Sequence, residues 1–165
     1  MTKIGVYPGT FDPMTNGHLN IIQRSLKIVD KLIIGVADNL NKKPILTFEE
    51  RKDIIVKDID LLNLGIKEIE IHSVTGLLTE FAKKHKAICI IRGLRAVSDF
   101  EYEFKMTGMN YQLNTEIETV FLMSSDNNSF ISSSLVKEVH KLGGDVSKFV
   151  SENTIKVLNK KNSSS

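Results

Sequence analysis

The feature that most constrains this chain is the alternation of short apolar runs with longer amphipathic ones. Strand-length runs occur at 3–8 ("KIGVYP"), 31–37 ("KLIIGVA"), 66–72 ("IKEIEIH"), 87–92 ("AICIIR") and 118–124 ("ETVFLMS"). Several are continuously apolar, as strands covered on both faces must be. Helical patterns lie between them. Residues 17–30 place Leu19, Ile22, Leu26 and Val29 on one face. Thr47 with Glu50, and Ser98 with Glu101, read as capping boxes at the starts of helices over 47–62 and 98–114. A short pattern spans 77–85. Another, from 133, ends at Gly143 and Gly144, which suit a helix C-cap, and a last one covers 151–160. Strands joined through helices by short connections predict an α/β fold. The expected form is a Rossmann-like doubly wound five-stranded parallel sheet with helices on both faces. A single domain is expected over 1–159, with 160–165 a disordered tail.

In such a sheet, ligands bind beyond the carboxyl ends of the strands, at the switch point of the topology. The loop after the first strand, "YPGTFDPMTNGH" (7–18), falls there. Gly9 and Gly17 allow close approach to the backbone, and Pro8 and Pro13 stiffen it. Thr15 or Asn16 can cap the next helix. His18 then sits in the first turn, where backbone N–H groups and the helix dipole favour an anion. The loop is neither G-x-G-x-x-G nor a Walker sequence, so it is a phosphate loop of another kind.

Three further segments follow strands. Lys42 and Lys43 are either a solvated pair or a point charge for a phosphate. Arg92 and Arg95 flank Gly93 at a strand end. They either meet an anion or pair with Asp99, Glu101 or Glu103. Ser132, Ser133 and Ser134 open a helix, where one serine suffices as a cap and three suggest a second anion site. Leu77 and Leu78 read as core residues that could also wall a ligand.

Composition excludes several classes. A formal net charge of +2 indicates no nucleic-acid footprint, and no run is apolar enough to span a membrane. Cys89 is a single cysteine in an apolar run, so no internal disulfide forms, and a reducing, cytoplasmic setting is expected. The start shows no signal-peptide pattern. His72, His85 and His140 lack metal-ligand spacing, and no protein-held metal is expected, although Asp12 and Asp38 lie near strand ends.

"GTFDPMTNGH" resembles the first signature of the nucleotidyltransferase superfamily. "IRGLRAVSDFEYE" and "SFISSSLVKE" narrow the resemblance to the bacterial phosphopantetheine adenylyltransferase family, over nearly the whole chain to about residue 158. The resemblance implies transfer of the adenylyl group of Mg2+-bound ATP to 4'-phosphopantetheine, giving dephospho-CoA and pyrophosphate without a covalent enzyme intermediate. It implies a homohexamer. His18, Thr10, Lys42 and Arg92 would be catalytic, and Thr10, Lys42, Leu78 and Arg92 would hold the acceptor. ATP would contact Thr10, Phe11, His18, Gly93, Leu94, Arg95, Glu103 and Asn128 through Ser134 (Asn128, Ser129, Phe130, Ile131, Ser132, Ser133, Ser134). Some relatives carry an aromatic residue where Asn128 stands, which places its contact on the backbone. The alternatives are another small adenylyl- or cytidylyltransferase, acting on nicotinamide mononucleotide or glycerol phosphate, and a non-catalytic nucleotide-binding module. An aminoacyl-tRNA synthetase shares the Gly-His pair but needs a longer chain and a basic face.

Overall fold

The structure, a computed structural model, describes residues 2–37, 43–64, 68–95, 97–125 and 130–163. In chain order they form β1 (Ile4–Gly9), α1 (Asn16–Ser25), β2 (Lys31–Ala37), α2 (Phe48–Asp60), β3 (Glu68–Val74) and α3 (Leu78–Lys84). Then come β4 (Cys89–Leu94), α4 (Val97–Leu113), β5 (Glu118–Met123), α5 (Ser133–Lys141) and α6 (Glu152–Ser163). The five strands pair in parallel in the order β3-β2-β1-β4-β5. The chain steps outward from β1 to β3, then returns to the other side of β1. The switch point therefore lies between the carboxyl ends of β1 and β4.

The period-2 geometry of the strands divides the core into two layers. Tyr7, Leu32, Ile34 and Ile91 pack with Ile21, Ile22, Ile54 and Ile55 of α1 and α2 on one face. Their strand neighbours Val6, Ile33 and Ile90 pack with Phe81 and Ala82 of α3 on the other. A smaller cluster, Ile131, Val136, Val146, Val150 and Leu158, joins α5 to α6. Cys89 is buried within the sheet, and burial pushes its thiol pKa up, which suits an inert core residue. No helix among the described residues is long and apolar enough to cross a membrane.

The boundaries differ from expectation in four places. Helix α1 stops at Ser25, so Leu26 is its C-cap and Val29 enters the core from the following turn. Strand β3 runs on to Val74 beside Ala37, while 66 and 67 lie outside the described residues. Helix α4 starts at Val97, so Ser98 falls inside the helix and is not its cap. Its first turn is braced by Arg95, whose Nε donates to Asp99 at 3.2 Å. Helix α6 continues through Ser163, so the tail expected from 160 is helical over its first four positions. Lys161 reaches Glu50 of α2 at 3.0 Å, and Asn162 bonds His140, which fastens that end to the body. The Thr47–Glu50 capping box forms in both directions, at 3.2 and 2.8 Å.

Gly35 in β2 is required by packing, because a Cβ there would stand 2.7 Å from Val74 Cγ2. Gly35→Ala is expected to destabilise by about 1–3 kcal/mol in urea denaturation. The loss should shrink in a Val74→Ala background, where the clashing methyl is gone. An equal loss in both backgrounds would reject the packing explanation.

Candidate active site

The loop between β1 and α1 is held from below by two buried charges. Asp12, 3% exposed, accepts from the backbone N–H of Ile45 at 3.1 Å and of Leu46 at 2.9 Å, and pairs with Lys137 of α5 at 2.5 Å. Arg51 of α2, 1% exposed, donates to the carbonyls of Thr10 at 2.9 Å, Ala37 at 3.0 Å and Thr47 at 3.3 Å. One carboxylate and one guanidinium thus tie the β1 loop, the end of β2, the start of α2 and α5 into one unit. Phe11 has a positive φ of 50°, and its ring is buried, 5.5 Å from Tyr7 and 5.0 Å from His18. A Cβ on Gly9 would meet that ring at 2.9 Å, so the glycine lets Phe11 fold beneath the loop. Any contact of Phe11 with ATP falls to its backbone.

Thr15 is the N-cap of α1. The Asn16 side chain instead donates to the Lys148 carbonyl at 3.0 Å. The capping box is closed by a histidine: the Thr15 N–H donates to His18 Nδ1 at 3.0 Å, while Thr15 Oγ1 accepts from the His18 N–H at 3.4 Å. A backbone N–H can only donate, so Nδ1 carries a lone pair and the neutral ring holds its proton on Nε2. The fold therefore selects the Nε2–H tautomer, a donor at the positive end of a helix.

At the end of β4, Arg92 makes a bidentate bond to Glu103 of α4. Its Nε is 2.8 Å from Oε2 and its Nη2 meets Oε1. Nη1 lies 3.3 Å from the Pro8 carbonyl. These bonds use three of the five guanidinium N–H groups. Burial opposes the Arg92 charge, and the Glu103 carboxylate outweighs it, so its pKa is raised. Beneath them burial pushes the Tyr7 pKa well up against the opposing pull of Arg92 and Arg95, keeping the phenol neutral. Arg95 pairs with Asp99 and donates from Nη1 to the Ile131 carbonyl at 3.1 Å. Gly93 admits α1, since a Cβ would lie 3.2 Å from Ile21 Cγ1. Leu94 is buried and ends the strand.

The three serines at α5 have separate duties. Ser132 is the N-cap and accepts from Leu135 N–H at 3.1 Å. Ser133 Oγ donates to the Pro13 carbonyl at 2.7 Å, and Ser134 is exposed. Phe130 is exposed and edge-on to Phe149, while Ile131 is buried. Leu78 opens α3, half-buried against the second core layer. Lys42, Asn128 and Ser129 lie outside the described residues. The structure thus brings Thr10, His18, Arg92, Gly93, Arg95 and the α5 serines to the switch point. The tethers from Asp12 to Lys137 and from Arg51 to the strand ends were missed in the sequence. Arg51 lies on the buried stripe with Ile54, Ile55 and Asp58, a helical spacing that could have exposed it.

Known proteins resemble this chain in sequence and in fold. The cytidylyltransferase-like family profile matches residues 6–139. The chain is 55% identical over 148 residues to a phosphopantetheine adenylyltransferase of Caulobacter vibrioides, covering 90% of each chain. It is 56% identical to that of Wolbachia pipientis wMel over 91% of this chain and 88% of the relative. With that of Pelagibacter ubique it is 50% identical over 98% and 99%. Among solved structures, the fold is shared with Plasmodium falciparum nicotinic acid mononucleotide adenylyltransferase in complex with NaAD, at a TM-score of 0.71 and 17% identity. That match covers 98% of this chain and 97% of the other.

Asp12→Ala leaves the buried Leu46 N–H, the partly buried Ile45 N–H and Lys137 without their acceptor. It is expected to cost about 3 kcal/mol in urea denaturation. Asp12→Asn keeps one acceptor oxygen and should lose less. A stability equal to that of the wild type in Asp12→Ala would contradict the tether.

Proposed function

This chain belongs to the phosphopantetheine adenylyltransferase family, and from that premise we propose how its site transfers the adenylyl group of ATP to 4'-phosphopantetheine. The observation that carries the mechanism is the selected His18 tautomer in the first turn of α1, beside the β1 loop whose Pro8 carbonyl accepts from Arg92 and whose Pro13 carbonyl accepts from Ser133 of α5. Transfer is direct. The terminal phosphate of 4'-phosphopantetheine attacks the α-phosphorus in line, a P–O bond forms, and the bond to pyrophosphate breaks, giving dephospho-CoA. The acceptor is already an anion, so no general base is needed. The Thr15 hydroxyl lies 3.0 Å from His18 Nδ1, but its burial and capping role suit it poorly to covalent catalysis.

His18 Nε2–H donates to the charge that builds on the α-phosphate, and Thr10 orients the acceptor. Lys42 and Arg92 neutralise the acceptor phosphate, for which Arg92 keeps two N–H groups beyond its described bonds. Arg95, Glu103 and the segment from Asn128 to Ser134 hold the nucleotide, and Leu78 walls the pantetheine arm. Magnesium enters as part of Mg-ATP. Asp12 is committed to Ile45, Leu46 and Lys137 in the free protein, and we give it no direct role toward the magnesium. Helix α4 exposes Tyr102, Phe104, Met106, Met109, Tyr111 and Leu113. Tyr102, Met106, Met109 and Leu113 share one face, which we assign to contacts between copies in a homohexamer, placed in the cytoplasm. Light scattering of the purified protein should give six copies, whereas a monomer at micromolar concentration would contradict the assignment.

Pyrophosphate release tests the reaction, with Mg-ATP and 4'-phosphopantetheine, nicotinamide mononucleotide or glycerol 3-phosphate as acceptor. Release with phosphopantetheine alone is expected, and release with another acceptor would discard the roles of Leu78 and Arg92. His18→Ala should lower kcat by about 10²–10³-fold while the protein stays folded, with a loss of about 1–2 kcal/mol from the opened capping box. Normal turnover by that variant would remove His18 from the mechanism.

A further inference from the structure

Three metal-ligating side chains outside the active site converge on the edge strand. Glu70 and His72 sit two apart on β3 and share a face. His85 is the C-cap of α3, which packs on that side of the sheet. One donor atom from each lies within 4.8 Å of the other two. His72 Nε2 is 2.9 Å from Glu70 Oε2, and the His72 and His85 rings lie 4.6 Å apart. Phe81 backs His85 with ring centres 4.5 Å apart. We propose that Glu70, His72 and His85 form a binding site for a divalent transition-metal ion of the zinc type.

The geometry needs little adjustment. Ligands about 2.1 Å from a tetrahedral ion stand roughly 3.4 Å from one another. The His72–Glu70 separation is already at that scale. No pair is wider than 4.8 Å, and all three ligands are partly exposed side chains. Two imidazoles and one carboxylate suit Zn2+ or Co2+ far better than Mg2+, which demands oxygen ligands. The fourth position is left to water. Lys31 stands close to the site, but its charge is already met by Glu68 at 2.8 Å and by Glu70 Oε1 at 2.5 Å. It fixes the carboxylate from behind, as outer-shell partners of metal ligands do, and leaves Oε2 for the ion. The site is on the outermost strand, two strands from β1, and is distinct from the phosphate-binding edge. A bound ion would join β3 to the far end of α3, the helix that opens with Leu78.

The test uses the full chain, stripped with a chelator and titrated with Co2+ by absorbance and with Zn2+ by calorimetry. One equivalent should bind with a dissociation constant on the order of 10 µM or tighter, and Co2+ should show the visible bands of a low-coordinate nitrogen-oxygen site. Saturating Zn2+ should raise Tm by about 3 °C or more. His72→Ala and His85→Ala should each weaken binding at least about tenfold, and the double variant should abolish it while keeping its circular dichroism. Binding that is absent in the wild type, or equal in the wild type and the folded double variant, would overturn the proposal.

Discussion

The buried carboxylate of Asp12 is the contact on which the rest of the site depends. It sits in the loop between β1 and α1, and its two oxygens accept three bonds, from two backbone N–H groups ahead of α2 and from Lys137 of α5. Those segments are far apart in the chain. Arg51 does the converse, filling carbonyls at the ends of β1 and β2. A charge this deeply buried is tolerated only when its hydrogen-bonding capacity is met. The loop therefore has one satisfactory arrangement. It is fixed before any ligand arrives, and transition-state stabilisation by oriented donors requires that order.

The cations that face this loop are also held in advance. Arg92 is oriented by Glu103, and Arg95 by Asp99 and the Ile131 carbonyl. Each arginine is thus compensated in the free protein. The sequence left two readings open for these arginines, an anion or the nearby acids. The acids are the partners in the free protein, and the remaining N–H groups of Arg92 are compatible with an anion as well.

The legible part of the fold was the part set by local chemistry. Continuous apolar runs announced doubly covered strands, and the Thr47–Glu50 box marked the start of α2 where it was expected. Ends fixed by distant contacts were not legible. Helix α6 persists to Ser163 because Lys161 finds Glu50, about a hundred residues away. Within the site, the loop residues and α5 serines stood out by type and position. The tethers did not, because Asp12, Arg51 and Lys137 look like ordinary loop and helix charges until the topology brings them together. The Glu70, His72 and His85 cluster was hidden in the same way. Residues 72 and 85 are joined only when α3 folds back along β3.

The central claim is that the Thr15 N–H holds His18 as the Nε2–H tautomer, ready to donate to phosphate. The most direct measurement is nitrogen-15 NMR of the histidine rings in the ligand-free protein, with the His18 signals identified by their loss in His18→Ala. The account predicts a pyridine-type Nδ1 and a protonated Nε2 at pH values where the ring is neutral. A protonated Nδ1 would contradict it, because that ring could not accept from Thr15 and would offer phosphate no donor from Nε2.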